Sequence, residues 1–229
     1  MREIVLDTET TGLSPADGHR IVEIGAIELV NHIPSGKSFH RYLNPGRDMP
    51  KEAEAVHGLT SKFLMDKPRF EAVALEFLAF IGDAGLIIHN ASFDMAFLNA
   101  ELGDAKQPPL SFDRVTDTLL LARKKHPMAP NSLDALCKRY GIDTSRRDKH
   151  GALVDSELLA EVYLELIGGK QKTLGLAGTE RPRAFAARLS EGPAARPRPL
   201  QPRLTLQELE DHAKLVKELG PESLWAKSG

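Results

Sequence analysis

The chain has 229 residues, a formal net charge of −2, 41% hydrophobic and 27% charged residues. That length suits one well-cored domain with something smaller attached, and the composition is that of a soluble globular protein. The near-balanced charge excludes a protein that coats nucleic acid by bulk electrostatics, for which a basic stripe is expected. It leaves room for an enzyme that grips a short end through metal ions. The single cysteine, Cys137, cannot form an internal disulfide and lies in an apolar helical stretch. It reads as a small core residue in a reduced, cytosolic setting. No run approaches the roughly 18 apolar residues of a membrane span. The opening MREIVLDTETTG enters a strand-like run at once, so no signal peptide is expected and the location predicted is cytoplasmic.

In chain order, Ile4-Val5-Leu6 is a short apolar strand, and Arg20 to Val30 is a second, with Gly25 as a bulge or close-approach point. Ser38 to Leu43 alternates as a third strand, and Leu86 to His89 has the continuous apolar character of a buried central one. Helical periodicity covers Phe70–Ile81, Phe93–Leu102, Val115–Lys125, Leu133–Tyr140 and Ala152–Ile167, with Asn131 as N-cap of the fourth. Strands followed by alternating helices and strands predict an α/β domain, a mixed sheet with helices packed on it, over residues 1–169. Residues 178–203 then carry six Arg and five Pro against two Glu, which reads as a flexible linker. Order returns in 204–229, where Thr205 and Glu208 make a capping box ahead of Leu209, Ala213, Val216 and Leu219. One short amphipathic helix cannot form its own core, so it is expected to dock on something.

Three segments carry chemistry. In Asp7-Thr8-Glu9, side chains at i and i+2 share a strand face, so the two acids project together and Thr8 points away. Such adjacent acids repel unless a cation lies between them, and hard oxygen ligands suit Mg²⁺ or Mn²⁺. In His89-Asn90-Ala91-Ser92-Phe93-Asp94, a strand runs out into a helix whose first turn holds Asp94. In His150-Gly151-Ala152-Leu153-Val154-Asp155, the histidine precedes a helix and the acid lies early in it. Each has a plain structural reading: solvated acids, a helix cap by Asn90 or Ser92, a surface histidine. Together they place four acids and a histidine at strand ends and first helical turns. That set suits a two-metal centre, with His150 as general base near neutral pH.

With VLDTETTG, EIGAIELV, VHGLT, IHNASFD, VTDTLLLARK, NSLDALCKRYGID and HGALVDSELLAEVYLEL in order, residues 1–169 resemble the histidine-type branch of the DEDD exonuclease superfamily. Within it, the similarity is to the proofreading (epsilon-type) subunits of bacterial DNA polymerase III. The resemblance implies a ribonuclease H-like fold and hydrolysis from DNA 3′ ends. It implies that Asp7, Glu9, Asp94 and Asp155 bind two divalent ions while His150 acts as base. Asp7, Glu9 and Asp155 would also touch substrate, as would Glu52, His57, Asn90 and Phe93 beside the terminal nucleotide. From the residues alone, Glu52 is equally a surface acid, His57 a turn residue and Phe93 a core residue. Residues 170–177 contain Gln171, Leu174 and Leu176, which resemble a sliding-clamp-binding peptide with Leu176 in place of the usual aromatic. The 204–229 segment resembles one that docks on the polymerase catalytic (alpha) subunit, and the family also has a small accessory subunit. Two other readings stay open: an RNA-trimming exonuclease of the same superfamily, and a mainly structural polymerase subunit.

Overall fold

The computed structural model describes residues 1–145, 147, 149–168 and 205–220. The chain divides into two units, Met1–Thr173 and Leu174–Gly229. The first is built on a five-stranded sheet of order β3-β2-β1-β4-β5. Its strands are β1 (Arg2–Thr10), β2 (Ile21–Val30), β3 (Ile33–Tyr42), β4 (Gly85–Ile88) and β5 (Val115–Asp117). β1 pairs antiparallel with β2 and parallel with β4, and β4 pairs parallel with β5, so the sheet is mixed as expected. The helices of this unit are α1 (Lys51–His57), α2 (Ser61–Leu64), α3 (Phe70–Ile81), α4 (Ala91–Asp104), α5 (Thr118–Lys125), α6 (Leu133–Tyr140) and α7 (Ala152–Leu166).

Strand alternation sorts the core into two layers. Ile4 and Leu6 of β1 and Ile24 and Ala26 of β2 pack with Phe70, Phe77, Met95 and Leu98 from α3 and α4. Val5, Ile27 and Ile87 point the other way, onto Leu159, Ala160 and Tyr163 of α7. β1 is therefore covered on both faces, which is why Ile4, Val5 and Leu6 are wholly buried. The outer strand β3 is mostly exposed and carries Pro34, Lys37 and Arg41, which blunt its free edge. Cys137 is buried among Ala122, Leu136 and Val162, as a core cysteine should be.

Several elements differ from expectation. β3 begins at Ile33 rather than Ser38, because Asn31 and His32 both take positive φ and close a tight hairpin. A histidine in that conformation costs strain. Its Nδ1 lies 2.7 Å from Glu3 Oε2 and its ring meets Tyr163 edge-on, contacts no local pattern reveals. Val115–Asp117 is a strand, and the helix expected from Val115 starts at Thr118. Asp117 stops it from starting earlier by accepting from the Leu119 and Leu120 N–H groups as N-cap. Ser132, not Asn131, caps α6, since Asn131 spends its amide on the His126 and Ala129 carbonyls.

Gly25 proves to be a close-approach point. It sits opposite Asp7 in the β1–β2 register, and a Cβ there would lie 2.2 Å from the α7 backbone at Ala152 and Leu153. The Ser156 hydroxyl donates to the Gly25 carbonyl at 2.9 Å, which locks the contact. The first turn of α7 is thereby pressed against β2, beside Asp7.

In the second unit, the described residues form α8 (Leu206–Leu219), opened by the full Thr205–Glu208 capping box. Leu206, Leu209, Leu215 and Leu219 along it are exposed. The Gln171, Leu174 and Leu176 peptide and the Arg/Pro-rich stretch lie outside the described residues. No helix among the described residues is long and apolar enough to cross a membrane.

Gly25→Ala should push α7 outward, since its clash is with backbone that cannot rotate away. Overpacking of this kind costs about 1–3 kcal/mol. A urea melt should show a lower midpoint, and an unchanged midpoint would mean that α7 has slack the geometry does not suggest.

Candidate active site

The parallel strands β1, β4 and β5 all end at one edge of the sheet, where ligands of open α/β sheets tend to bind. Asp7 and Glu9 reach that edge on the α7 face of β1. There Asp155, in the first turn of α7, is brought to them by the Gly25 contact. Asp94, in the first turn of α4, approaches beside β1 on the opposite face. Its Oδ1 accepts a hydrogen bond of 2.7 Å from the Thr8 hydroxyl. Thr8 does point away from Asp7 and Glu9, yet it positions the third acid. A single strand thus serves both helices. His150 lies just before α7, with Nδ1 3.2 Å from Asp155 Oδ2.

All five sequence-predicted residues, Asp7, Glu9, Asp94, His150 and Asp155, line one cleft of about 290 Å³. Ligand atoms of Glu9, His150 and Asp155 fall within 4.8 Å of one another. Burial, then the charges of Asp94, Glu9, Asp155 and Glu23, raise the Asp7 carboxyl far above its ordinary range. Glu9 is pushed up to about 8, by burial first and then by Asp155 and Glu23, with Arg147 opposing. Asp94 rises to about 7 through burial, although its hydrogen bonds from Thr8 favour the charged form. Asp155 is raised by burial against the lowering pull of Arg147 and His150. Carboxylates so crowded call for a cation, and the all-oxygen and imidazole donor set fits a hard divalent one.

Part of that demand is met by a residue that sequence reasoning missed. The largely buried Arg147 guanidinium lies 2.5 Å from Asp155 Oδ1 through Nε and donates to Oδ2 at 2.8 Å through Nη2. It also pairs with Asp134 and contacts His150 Nδ1. A guanidinium can only donate, so His150 Nδ1 accepts there and cannot at the same time donate to Asp155. The arginine sits in SRRDKH, where two adjacent arginines look like a solvated loop. Two further acids were missed. Glu23, buried on β2, lies directly across from Glu9 and is held by His40 Nε2 at 2.7 Å. Asp117 accepts from the backbone N–H groups of Asn90 and Ala91 at 3.2 and 3.3 Å, capping α4 from outside. Neither Asn90 nor Ser92 makes that side-chain cap, and Asn90 is held at φ 61 with its side chain exposed.

Next to the cleft lies a second cavity of about 560 Å³, which shares Thr8, Glu9 and Phe93 with it. Glu52 and His57 of α1 line this cavity with Leu13 and Val56, both of which expose apolar surface. Its floor is the Thr10-Thr11-Gly12 turn, where a Cβ on Gly12 would lie 2.3 Å from the His19 ring. His57 is buried, its Nδ1 accepts from the Leu59 N–H at 3.0 Å, and burial lowers its proton affinity. Phe93 is both cavity wall and core edge, packing on Phe97 with ring centroids 5.0 Å apart. Of the expected terminal-nucleotide contacts, Glu52, His57 and Phe93 come together, whereas Asn90 lines the cleft and not this cavity.

Comparison with known proteins matches residues 4–163 to the exonuclease family named for RNase T. The DNA polymerase III subunit epsilon of Rickettsia prowazekii is 58% identical over 176 residues, 76% of this chain and 77% of that protein. That of Escherichia coli is 51% identical over 176 residues, 74% of this chain and 72% of that protein. Among solved structures, exonuclease X in complex with 5′ overhanging duplex DNA aligns with a TM-score of 0.59 at 26% identity. It covers 73% of this chain and 92% of that one. Exonuclease I, at 19% identity and a TM-score of 0.64, shares the fold. The chain belongs to the exonuclease family, in the branch of the DNA polymerase III epsilon subunits.

Proposed function

We propose that this chain is a proofreading 3′→5′ exodeoxyribonuclease that works as a subunit of a bacterial replicative DNA polymerase. The observation that carries the reading is the convergence of Asp7, Glu9, Asp94, Asp155 and His150 in one cleft beside a cavity with room for a nucleoside. The four carboxylates would hold two divalent ions, Mg²⁺ or Mn²⁺, which when bound activate water and stabilise charge on the scissile phosphate. His150, exposed at the cleft, takes the proton from the attacking water. The terminal base enters between Phe93, Leu13 and Val56, while Glu52 and His57 supply polar contacts to its sugar. Asn90 faces the phosphate side of the cleft. A terminal nucleotide must leave its pairing partner to reach the cleft, so a mismatched end, already frayed, is the easier substrate.

The exposed apolar face of α8 suits docking on the polymerase catalytic (alpha) subunit, with the Arg/Pro-rich stretch as tether. Gln171, Leu174 and Leu176 form a candidate sliding-clamp peptide, and a small accessory subunit is a further candidate partner. A cytoplasmic location follows from these partners.

The assignment is tested with Mg²⁺ and 3′-labelled single-stranded DNA, mismatched-primer DNA and RNA of the same sequence. Monophosphate release from both DNA substrates is expected, abolished by EDTA and lowered by several orders of magnitude in Asp7→Ala/Glu9→Ala. Faster trimming of the RNA would reassign the chain to RNA processing. Retained activity in the double variant would sink the site itself.

Arg147 stands where a cation is needed, so it must yield when metal binds. Charge-assisted hydrogen bonds are worth about 1.5–3 kcal/mol each. Arg147→Ala should therefore tighten Mn²⁺ binding roughly tenfold, read by titration calorimetry, while lowering the Tm of the metal-free protein. Weaker Mn²⁺ binding would instead make Arg147 an organiser of the ligands.

The raised carboxyls also predict a pH dependence. Glu9 holds its proton in the fold up to about pH 8 but only to its ordinary value when unfolded. The folded state therefore binds more protons in that window, and its stability falls as pH rises through it. Metal-free Tm should decline from pH 5 to 8, and the Tm gain on adding Mn²⁺ should grow over the same range. A gain independent of pH would contradict the crowded-acid account.

A further inference from the structure

Glu23 is buried on β2 yet lines neither the carboxylate cleft nor the cavity beside it. It pairs with Glu9 across the β1–β2 ladder, and directly opposite residues share a face of the sheet. That face is the α7 side, because Gly25, two residues on, meets the α7 backbone. His40 and Tyr42 of β3, opposite Gly25 and Glu23, stand on it too. The His40 Nε2 lies 2.7 Å from Glu23 Oε1, and its ring meets Tyr42 edge-on with centroids 4.8 Å apart. Among the described residues no lysine or arginine pairs with Glu23. Just beyond the Glu9–Glu23 pair, Thr10 pairs with Ile21 and Val22 is passed over, a bulge of the kind that re-aims the side chains around it.

Like charges directly opposite one another destabilise a sheet, and burial strengthens the repulsion because water no longer screens it. A glutamine would fill the same volume and keep a hydrogen bond to His40 without that cost. The carboxylate thus weakens the hold of β2 on β1. Its charge reaches the site instead: it adds to the rise of both Asp7 and Glu9, which makes a cation more welcome there. It acts in the opposite sense to Arg147, whose guanidinium lowers Glu9 and pairs with Asp155. We infer that Glu23, anchored by His40, is a positioning residue for the metal site: a fixed negative charge beside Glu9 that strengthens divalent-cation binding from outside the ligand set. The inference rests on the metal-dependent reading of the cleft and deepens it. Glu23 acts through Asp7 and Glu9 rather than on the cation by contact. Coulomb energy falls only as the inverse of distance, so a charge that is no ligand still contributes where water is excluded.

The test uses the full-length protein and two variants that separate charge from packing. Glu23→Gln removes the charge and keeps the shape. Glu23→Asp keeps the charge but shortens the side chain and gives up the His40 contact. Mn²⁺ affinity is read by titration calorimetry, and Tm on protein stripped of metal. For Glu23→Gln, Mn²⁺ should bind about tenfold more weakly, the order expected for losing one unit charge several ångströms from a divalent ion, while the metal-free Tm rises. The Mn²⁺ concentration that half-activates hydrolysis of single-stranded DNA should shift by the same factor, and most of the lost rate should return at saturating Mn²⁺. Glu23→Asp should show the reverse, a lower Tm with Mn²⁺ affinity close to that of the wild type. Equal affinity in Glu23→Gln and the wild type would overturn the inference. So would a loss in Glu23→Asp as large as that in Glu23→Gln, since packing rather than charge would then govern the site. Should Glu23→Asp not fold, Glu23→Gln decides alone. A wild type that binds Mn²⁺ but hydrolyses no nucleic acid would sink the nuclease reading and leave the calorimetric comparison to decide the role of Glu23. A wild type that binds no Mn²⁺ would sink both.

Discussion

Four carboxylates gathered at one edge of a sheet repel one another and lose hydration, and the architecture of the first unit is organised around holding them there. Burial outweighs each neighbouring charge in raising Asp7, Glu9 and Asp94. The resulting site prefers protons or cations to empty charge. Arg147 answers that preference from within the chain, by pairing with Asp155 and Asp134 at once. Only a framework more rigid than the repulsion is strong can keep such groups together, and the framework here is a sheet covered on both faces.

The rigidity has identifiable sources. β1 is the central strand, and its alternation hands Asp7 and Glu9 to the α7 side and Thr8 to the α4 side. On one side, Gly25 of the neighbouring β2 lets the α7 backbone close onto the sheet, with Ser156 fastening it. On the other, the Thr8 hydroxyl holds Asp94, and Asp117 supplies the side-chain cap that Asn90 does not give α4. Arg20 adds a clamp at the far end of α4, where Glu101 accepts from both its guanidinium and the Ile21 N–H. These contacts join residues far apart in sequence, so losing one shifts an acid of the cleft without removing it.

Charge is also partitioned. The cleft holds four acids, and the cavity beside it sets Leu13, Val56 and Phe93 against polar walls that include Asp17, Glu52 and His57. A net charge of −2 averages over these regions and describes none of them.

Much of this was legible in the residues. The period-2 run of β1 put Asp7 and Glu9 on one face, and the helix starts near Asp94 and Asp155 could be seen from spacing, because these are local properties of strands and first turns. The capping box at Thr205 was equally local. Elements shorter than their own signal escaped: β5 has three residues and is a strand only because β4 pairs with it, and the Asn31-His32 turn depends on Glu3 and Tyr163. Arg147, Thr8, Glu23 and Asp117 escaped for a different reason. Their roles depend on which distant backbone or carboxylate lies within about 3 Å, and sequence spacing carries no such information. The sequence by itself determined the acids, the histidine and the periodicities that aim them. Only the tertiary structure decided what neutralises, caps and spaces them, because those are pairings across the sheet rather than along the chain.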